Sequence, residues 1–366
     1  MKIKGSFILD KYIIKKFLGT FVYALTLLML IVIVFDISEK LDDFIENNAP
    51  FKEVMFKYYL NFIPYFALLF SPLFTFISVI FFTSKLAYDS EIIAMFSSGL
   101  RFRRLLLPYF FSAFIIAGFT FLLGNYVIPR ANQNRHEFEE TYIRKGPIAM
   151  NKRNIHLQVR PNEYVYMESY SNSSKTGYKF SMEKFSEDGQ LEKKLISDYI
   201  KWDEETNTWT VRNYYIRTIQ EDGSEVLDYG REIDTTLNIF PEEFSRRDNF
   251  VEDMNIKELK EFIAQQKLHG SENITPFLIE RYRRFAFPFS TFILTLIGMT
   301  LSSRKIRGGI GGHIGAGIGL SFAYILFMQF SSQFAIGGAI DPLLAVWMPN
   351  IFFAAIAGLL YYFAPK

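Results

Sequence analysis

The chain has 366 residues, half of them hydrophobic, with 40 phenylalanines, four histidines, no cysteine and a formal net charge of +2. The missing cysteines exclude disulfides, thiolate metal sites and cysteine nucleophiles, and no basic cluster is dense enough to track nucleic-acid phosphates. The histidines are scattered without an H-x-x-x-H pair, so no metal site, cofactor or catalytic constellation is expected.

Six apolar stretches follow in chain order: residues 17–35, 58–84, 105–128, 285–302, 310–336 and 343–363. Each is long enough to cross a hydrocarbon core, which takes about 20 helical residues. Between the third and fourth lies a long insert, about 129–282, too polar to enter lipid. The first stretch is too long for a signal-peptide core and lacks a small-residue cleavage site, so it reads as a retained anchor.

Lysine and arginine in short loops set orientation. Lys2, Lys4, Lys11, Lys15 and Lys16 outweigh Asp10, which puts the N-terminus on the cytoplasmic side. The next loop is acidic, with Asp36, Glu39, Asp42, Asp43, Glu46 and Glu53, and belongs outside. Lys85, Arg101, Arg103 and Arg104 hold the following loop inside, so the third span delivers the insert outside. Arg304, Lys305 and Arg307 keep the loop between spans four and five inside, and Lys366 ends there too.

The loop between spans two and three reads Asp89-Ser90-Glu91-Ile92-Ile93-Ala94-Met95-Phe96-Ser97-Ser98-Gly99-Leu100. Asp89 or Ser90 suits a helix cap and Gly99 a stop. Ile92, Ile93, Met95 and Phe96 put an apolar surface on a loop that should be polar. One reading is a short amphipathic knob that docks on a partner ATPase, with Glu91 offering a single charge and Ala94 and Gly99 giving close approach. The other is a helix lying on the headgroups.

The insert alternates apolar and polar residues over 155–160, 164–170, 178–185, 191–202, 209–219 and 226–237, with turn signals at Pro161-Asn162, Asp188-Gly189 and Asp222-Gly223. Evenly spaced short strands predict an antiparallel sandwich or open barrel, jellyroll-like. A connector helix is expected at 255–269, with Asn255 as cap, Glu258 completing a capping box and Gly270 as stop.

Basic residues collect at both ends of the insert: Arg130, Arg135 and His136, then Arg281, Arg283 and Arg284. They either snorkel or face an anionic headgroup, where a guanidinium can bind phosphate through two bonds. In span five, Gly311, Gly315 and Gly319 fall four apart on one face, which suits close helix packing or a seam that opens. No ionisable residue sits mid-span, which argues against a proton- or sodium-driven carrier.

Together these segments resemble the lipopolysaccharide-export permease family, LptF/LptG, with a more LptG-like start. The resemblance rests on Leu9-Asp10-Lys11-Tyr12-Ile13, Phe35-Asp36-Ile37-Ser38-Glu39-Lys40-Leu41, Met254-Asn255-Ile256-Lys257-Glu258-Leu259 and Glu280-Arg281-Tyr282-Arg283-Arg284-Phe285. Leu301-Ser302-Ser303-Arg304-Lys305-Ile306-Arg307-Gly308-Gly309 and Ala345-Val346-Trp347-Met348-Pro349-Asn350 carry most of its specificity. It implies a polytopic α-helical membrane protein of the bacterial inner membrane, with six transmembrane helices (3+3) and an inserted periplasmic all-β jellyroll-like domain. The expected division is 1–129, spans one to three; 130–254, the β domain; 255–282, the connector; and 283–366, spans four to six.

The resemblance also implies partners: a cytoplasmic ABC ATPase dimer, a paralogous permease subunit, a single-span periplasmic bridge protein, and lipopolysaccharide as cargo. The chain itself is then not an enzyme. Spans one and five line the lipid cavity in the family, and basic residues near the outer end of span one help hold the headgroup phosphates. Here that end carries Asp36, Asp42 and Asp43 with only Lys40 positive. Headgroup contact therefore shifts to Lys40, Arg130 and Arg135, or the headgroup differs. Competing readings are a membrane scaffold whose β domain binds a periplasmic partner, and a secondary transporter.

Overall fold

The computed structural model describes residues 5–143, 152–204, 206–220, 223–235, 237, 240–241, 250–268, 274–303 and 311–364. Lys2, Lys4, Asp222, Gly270, Arg304, Lys305, Arg307, Gly308, Gly309 and Lys366 lie outside them.

Eight α-helices frame the described residues. They are α1 (Gly5–Glu46), α2 (Phe51–Tyr88), α3 (Glu91–Ser97), α4 (Phe102–Tyr142), α5 (Ile256–Leu268), α6 (Thr275–Ser302), α7 (Gly311–Ile336) and α8 (Pro342–Tyr362). All except α3 and α5 are long and apolar enough to cross a membrane. The first three apolar stretches of the sequence lie inside α1, α2 and α4, the fourth is the C-terminal part of α6, and the last two coincide with α7 and α8 to within one residue. The first four of these helices overrun their stretches because backbone hydrogen bonding continues past the lipid-compatible run; α4 continues through Pro129 to Tyr142 after a π-helical turn at Leu123–Val127. Such a turn accommodates a residue with no N–H to donate.

The chain forms two compact units. One comprises residues 1–138, 252–256 and 275–366. In it α6 packs against α2, α4 and α8, α1 against α2 and α4, and α7 against α2 and α8. Lipid-soluble helices gain little from apolar burial, so close backbone approach matters more. A Cβ on Gly298 of α6 would lie 2.9 Å from Val79, and one on Gly317 of α7 would lie 2.5 Å from the Ile80 Cδ1. Asn350 of α8 donates to the Ala286 carbonyl at 2.9 Å and accepts from the Tyr324 hydroxyl at 3.0 Å, tying α6, α7 and α8 together. The cover is uneven: 17 % of the apolar window of α1 and 28 % of that of α7 is buried, against 61 % for α6.

The other unit comprises residues 139–251 and 257–274. Six antiparallel strands follow one another as a meander: β1 (Lys152–Arg160), β2 (Glu163–Ser171), β3 (Thr176–Phe185), β4 (Leu191–Asp203), β5 (Thr208–Ile219) and β6 (Glu225–Thr235). The alternation read from sequence is the pleat of this sheet. Val165, Met167, Phe180, Ile200, Trp209 and Val211 share the buried face. Asn162, Gly189 and Gly223 take positive φ at the turns. The expected all-antiparallel β insert is present, and its described strands form a single sheet in sequential order. Leu259, Phe262 and Ile263 of α5 are buried, as its apolar spacing predicts.

Candidate functional site

The short helix α3 is held as a knob. Its first residue follows Ser90, whose φ is +63° and whose side chain makes no cap bond to the helix, so neither Asp89 nor Ser90 caps it in the expected manner. Its end is a Schellman stop: Gly99, at φ +87°, donates to the Phe96 carbonyl at 2.9 Å, and Leu100 to that of Met95 at 3.2 Å. Ile92 is 1 % exposed, buried with Ile13, Phe17 and Leu86, and Met95 and Phe96 pack partly against the same cluster. Ile92 therefore anchors the knob to its own chain. Ile93, 47 % exposed, and the exposed Ala94 face outward as the sequence reading placed them, whereas Ile92, placed on the same surface, faces inward.

Two contacts fix the knob's surroundings. The Tyr12 hydroxyl donates to the Glu91 carboxylate at 3.1 Å. The Arg104 guanidinium grips Asp10 through two bonds, 2.9 and 2.6 Å. These join α1 to α3 and to the start of α4. Glu91 remains half-exposed.

Lys40 sits in a different network. Its ammonium pairs with Asp36 at 2.8 Å, donates to the Tyr58 hydroxyl and lies 4.8 Å from that ring's centroid. Asp36 also accepts from Tyr59 at 3.1 Å. A π-helical turn at Val54–Tyr59 brings these consecutive tyrosines to one carboxylate. Lys40 is thus neutralised within the chain.

Near the start of α6, a cavity of about 130 Å³ opens among α2, α4, α6 and α7. Leu68, Phe287, Ile325 and Met328 give it apolar wall, and Glu280, Arg283 and Glu252 a charged end. Glu280 bridges Arg283 at 2.5 Å and Arg284 at 2.9 Å; Arg283 reaches Glu252 at 3.7 Å, and Arg284 donates to the Met254 carbonyl at 2.6 Å. Burial raises the Glu252 carboxyl above its ordinary 4.5, the Glu280 carboxylate adds to that, and Arg283 opposes it. Arg135 stacks 5.3 Å above the Tyr65 ring, and His136 lies 3.0 Å from Asp253.

The clustered cations of the sequence therefore divide. Arg283 and Arg284 are compensated by acids, and Arg135 is half-buried. Arg130 is exposed and has no ion-pair partner among the described residues. Sequence reasoning missed the compensating acids because Glu252 and Glu280 are far apart in the chain; only Glu280, one turn before Arg284, gave a local signal.

Gly311, Gly315 and Gly319 are exposed, with nothing within 4 Å of an added Cβ. The tight packing expected of them is made instead by Gly317 against Ile80.

A family model described as Lipopolysaccharide export system permease LptF/LptG matches residues 11–363. The chain belongs to the LptF/LptG family. It is a multi-pass inner-membrane permease of lipopolysaccharide export, with a six-stranded antiparallel β insert between its third and fourth spanning helices. No curated protein matches the chain. Within this LptF/LptG chain, the Asn350 bonds and the Glu280–Arg284 pair give two of the family-like segments a structural role.

Proposed function

We propose that the chain is the transmembrane permease subunit of an ABC-type complex that extracts lipopolysaccharide from the inner membrane toward a periplasmic bridge, driven by a separate cytoplasmic ATPase dimer. The observation that carries this reading is the α3 knob. It is stopped at Gly99, bonded to α1 through Tyr12 and Glu91, and presents Ile93 and Ala94 outward. A rigid knob can transmit a partner's closure to the spans, whereas a loose loop would absorb it.

The membrane orientation proposed puts both termini and α3 in the cytoplasm and the β insert in the periplasm. The sparsely covered α1 and α7, with the open Gly311, Gly315 and Gly319 face, line the lipid path beside a paralogous permease subunit. The headgroup phosphates meet Arg130 and Arg135; Lys40, already paired with Asp36, serves them only if that pair opens. A single-span periplasmic protein joins the β insert to the bridge. No bond in the lipid is made or broken, so the chain works without catalytic residues of its own.

Sidedness tests this frame, because the chain has no cysteine. A cysteine replacing Ser173 should react with an impermeant thiol reagent in intact spheroplasts, and one replacing Ser98 should not. The reverse pattern would overturn the proposal.

A further inference from the structure

The face of the sheet opposite the Trp209 core carries six tyrosines. In register across all six strands run His156, Tyr166, Ser181, Ile196, Tyr215 and Tyr229. Tyr164 stands one row below, beside Glu183, Lys194, Arg217 and Leu227. Tyr178 and Tyr199 pair on the other side, ring centroids 6.4 Å apart. Tyr164, Tyr178, Tyr215 and Tyr229 are 38–78 % exposed.

Pleating explains why two faces exist but not why the exposed one is aromatic. A solvated sheet face is ordinarily polar. Two shallow cups open on this face. One, about 290 Å³, is lined by Tyr164, Tyr166, His156, Ser181 and Glu183. The other, about 420 Å³, is lined by Tyr215, Ile196, Lys194, Arg217 and Glu225. Each joins an aromatic floor to a rim of donors and acceptors.

Charge narrows the occupant. Lys179 pairs with Glu168 at 2.6 Å, Lys194 with Glu183 at 2.6 Å, Arg212 with Glu232 at 2.9 Å and Arg217 with Glu225, each on a neighbouring strand. Those four cations are already matched by carboxylates on the protein, so the face offers a phosphate or an acidic peptide little. A neutral ligand rich in hydroxyls fits. The C–H face of a sugar ring lies on tyrosine, and its hydroxyls bond to the paired carboxylates and cations of the rim. A partner strand would instead add to an edge, β1 or β6.

The geometry points to this face as a carbohydrate platform, on which neutral sugar units of the cargo's saccharide rest while its lipid travels elsewhere. This rests on lipopolysaccharide being the cargo of the family, and not on the proposed ATPase.

The test uses the full-length chain in detergent micelles and, as probe, a delipidated, dephosphorylated core oligosaccharide, with saturation-transfer NMR titrations. Saturable binding is expected. The Tyr166→Ala/Tyr215→Ala pair should weaken it about tenfold, the loss of one aromatic contact at each cup. Tyr166→Phe/Tyr215→Phe, which keeps the rings and reports on folding, should stay within about threefold. Absence of binding, equal binding by the alanine pair, or binding confined to a phosphorylated probe would each overturn the platform. So would a protein partner that shields the tyrosines while no sugar binds. Copurification of an ATPase is scored on the same samples. Its failure beside intact sugar binding would strike the ATPase proposal and leave the platform standing.

Discussion

The Tyr12 hydroxyl donates to the Glu91 carboxylate at 3.1 Å, across 79 residues of sequence. Through it the first turn of the knob is fastened to the first span. A hydrogen bond to a charged group contributes about 1.5–3 kcal/mol. In the proposed complex this bond links the ATPase-facing helix to the lipid-lining one. Tyr12→Phe should therefore leave the chain folded and lower the lipid exported per ATP hydrolysed, with Glu91→Lys more severe. The check is a reconstituted assay that measures both rates. Unchanged coupling in both variants would remove Glu91 from the mechanism.

The two glycine classes of α7 separate packing from transport. Gly317 has Ile80 at 2.5 Å from an added Cβ, so Gly317→Val overpacks the α2–α7 contact and should cost about 1–3 kcal/mol. Gly315 has nothing within 4 Å. Gly315→Leu should leave thermal unfolding of the purified chain unchanged while slowing export, because it fills the open face. Loss of stability in Gly315→Leu with normal export would assign that face to simple packing.

Glu252 gives a pH signature. Its carboxyl is raised above the ordinary 4.5, so the folded chain holds the proton more tightly than the unfolded one. Stability from this group is then full below 4.5 and falls as pH rises through the folded value. Glu252→Gln removes the dependence. Thermal unfolding of the two chains should agree at the acid end, with the variant gaining toward neutral pH. A wild type that gains on the variant as pH rises would contradict the assignment.

Much of this was legible in the chain before its fold. The six spans follow from apolar run length, and the strands from alternation, because both are one-dimensional consequences of lipid thickness and of the pleat. The Gly99 stop was legible for the same local reason. Which of two neighbouring isoleucines faces the core was not: Ile92 and Ile93 are chemically alike, and only the packing of α3 against Ile13 and Leu86 decides. Nor was Lys40, whose neutralisation depends on Tyr58 arriving from another helix. The glycine stripe misled in the same way, since Gly317, off the four-residue spacing, makes the close contact.

The central claim is that a separate ATPase engages α3 through the residues that the fold turns outward. It is tested most directly by cysteines placed singly at Ile92, Ile93 and Tyr229 in the cysteine-free chain, followed by bifunctional crosslinking in cells and identification of the product. A crosslink from Ile93 to a cytoplasmic ATPase, with none from the buried Ile92 or from Tyr229 on the β insert, is the expected result. No ATPase adduct from Ile93, or an equal one from Tyr229, would contradict the account.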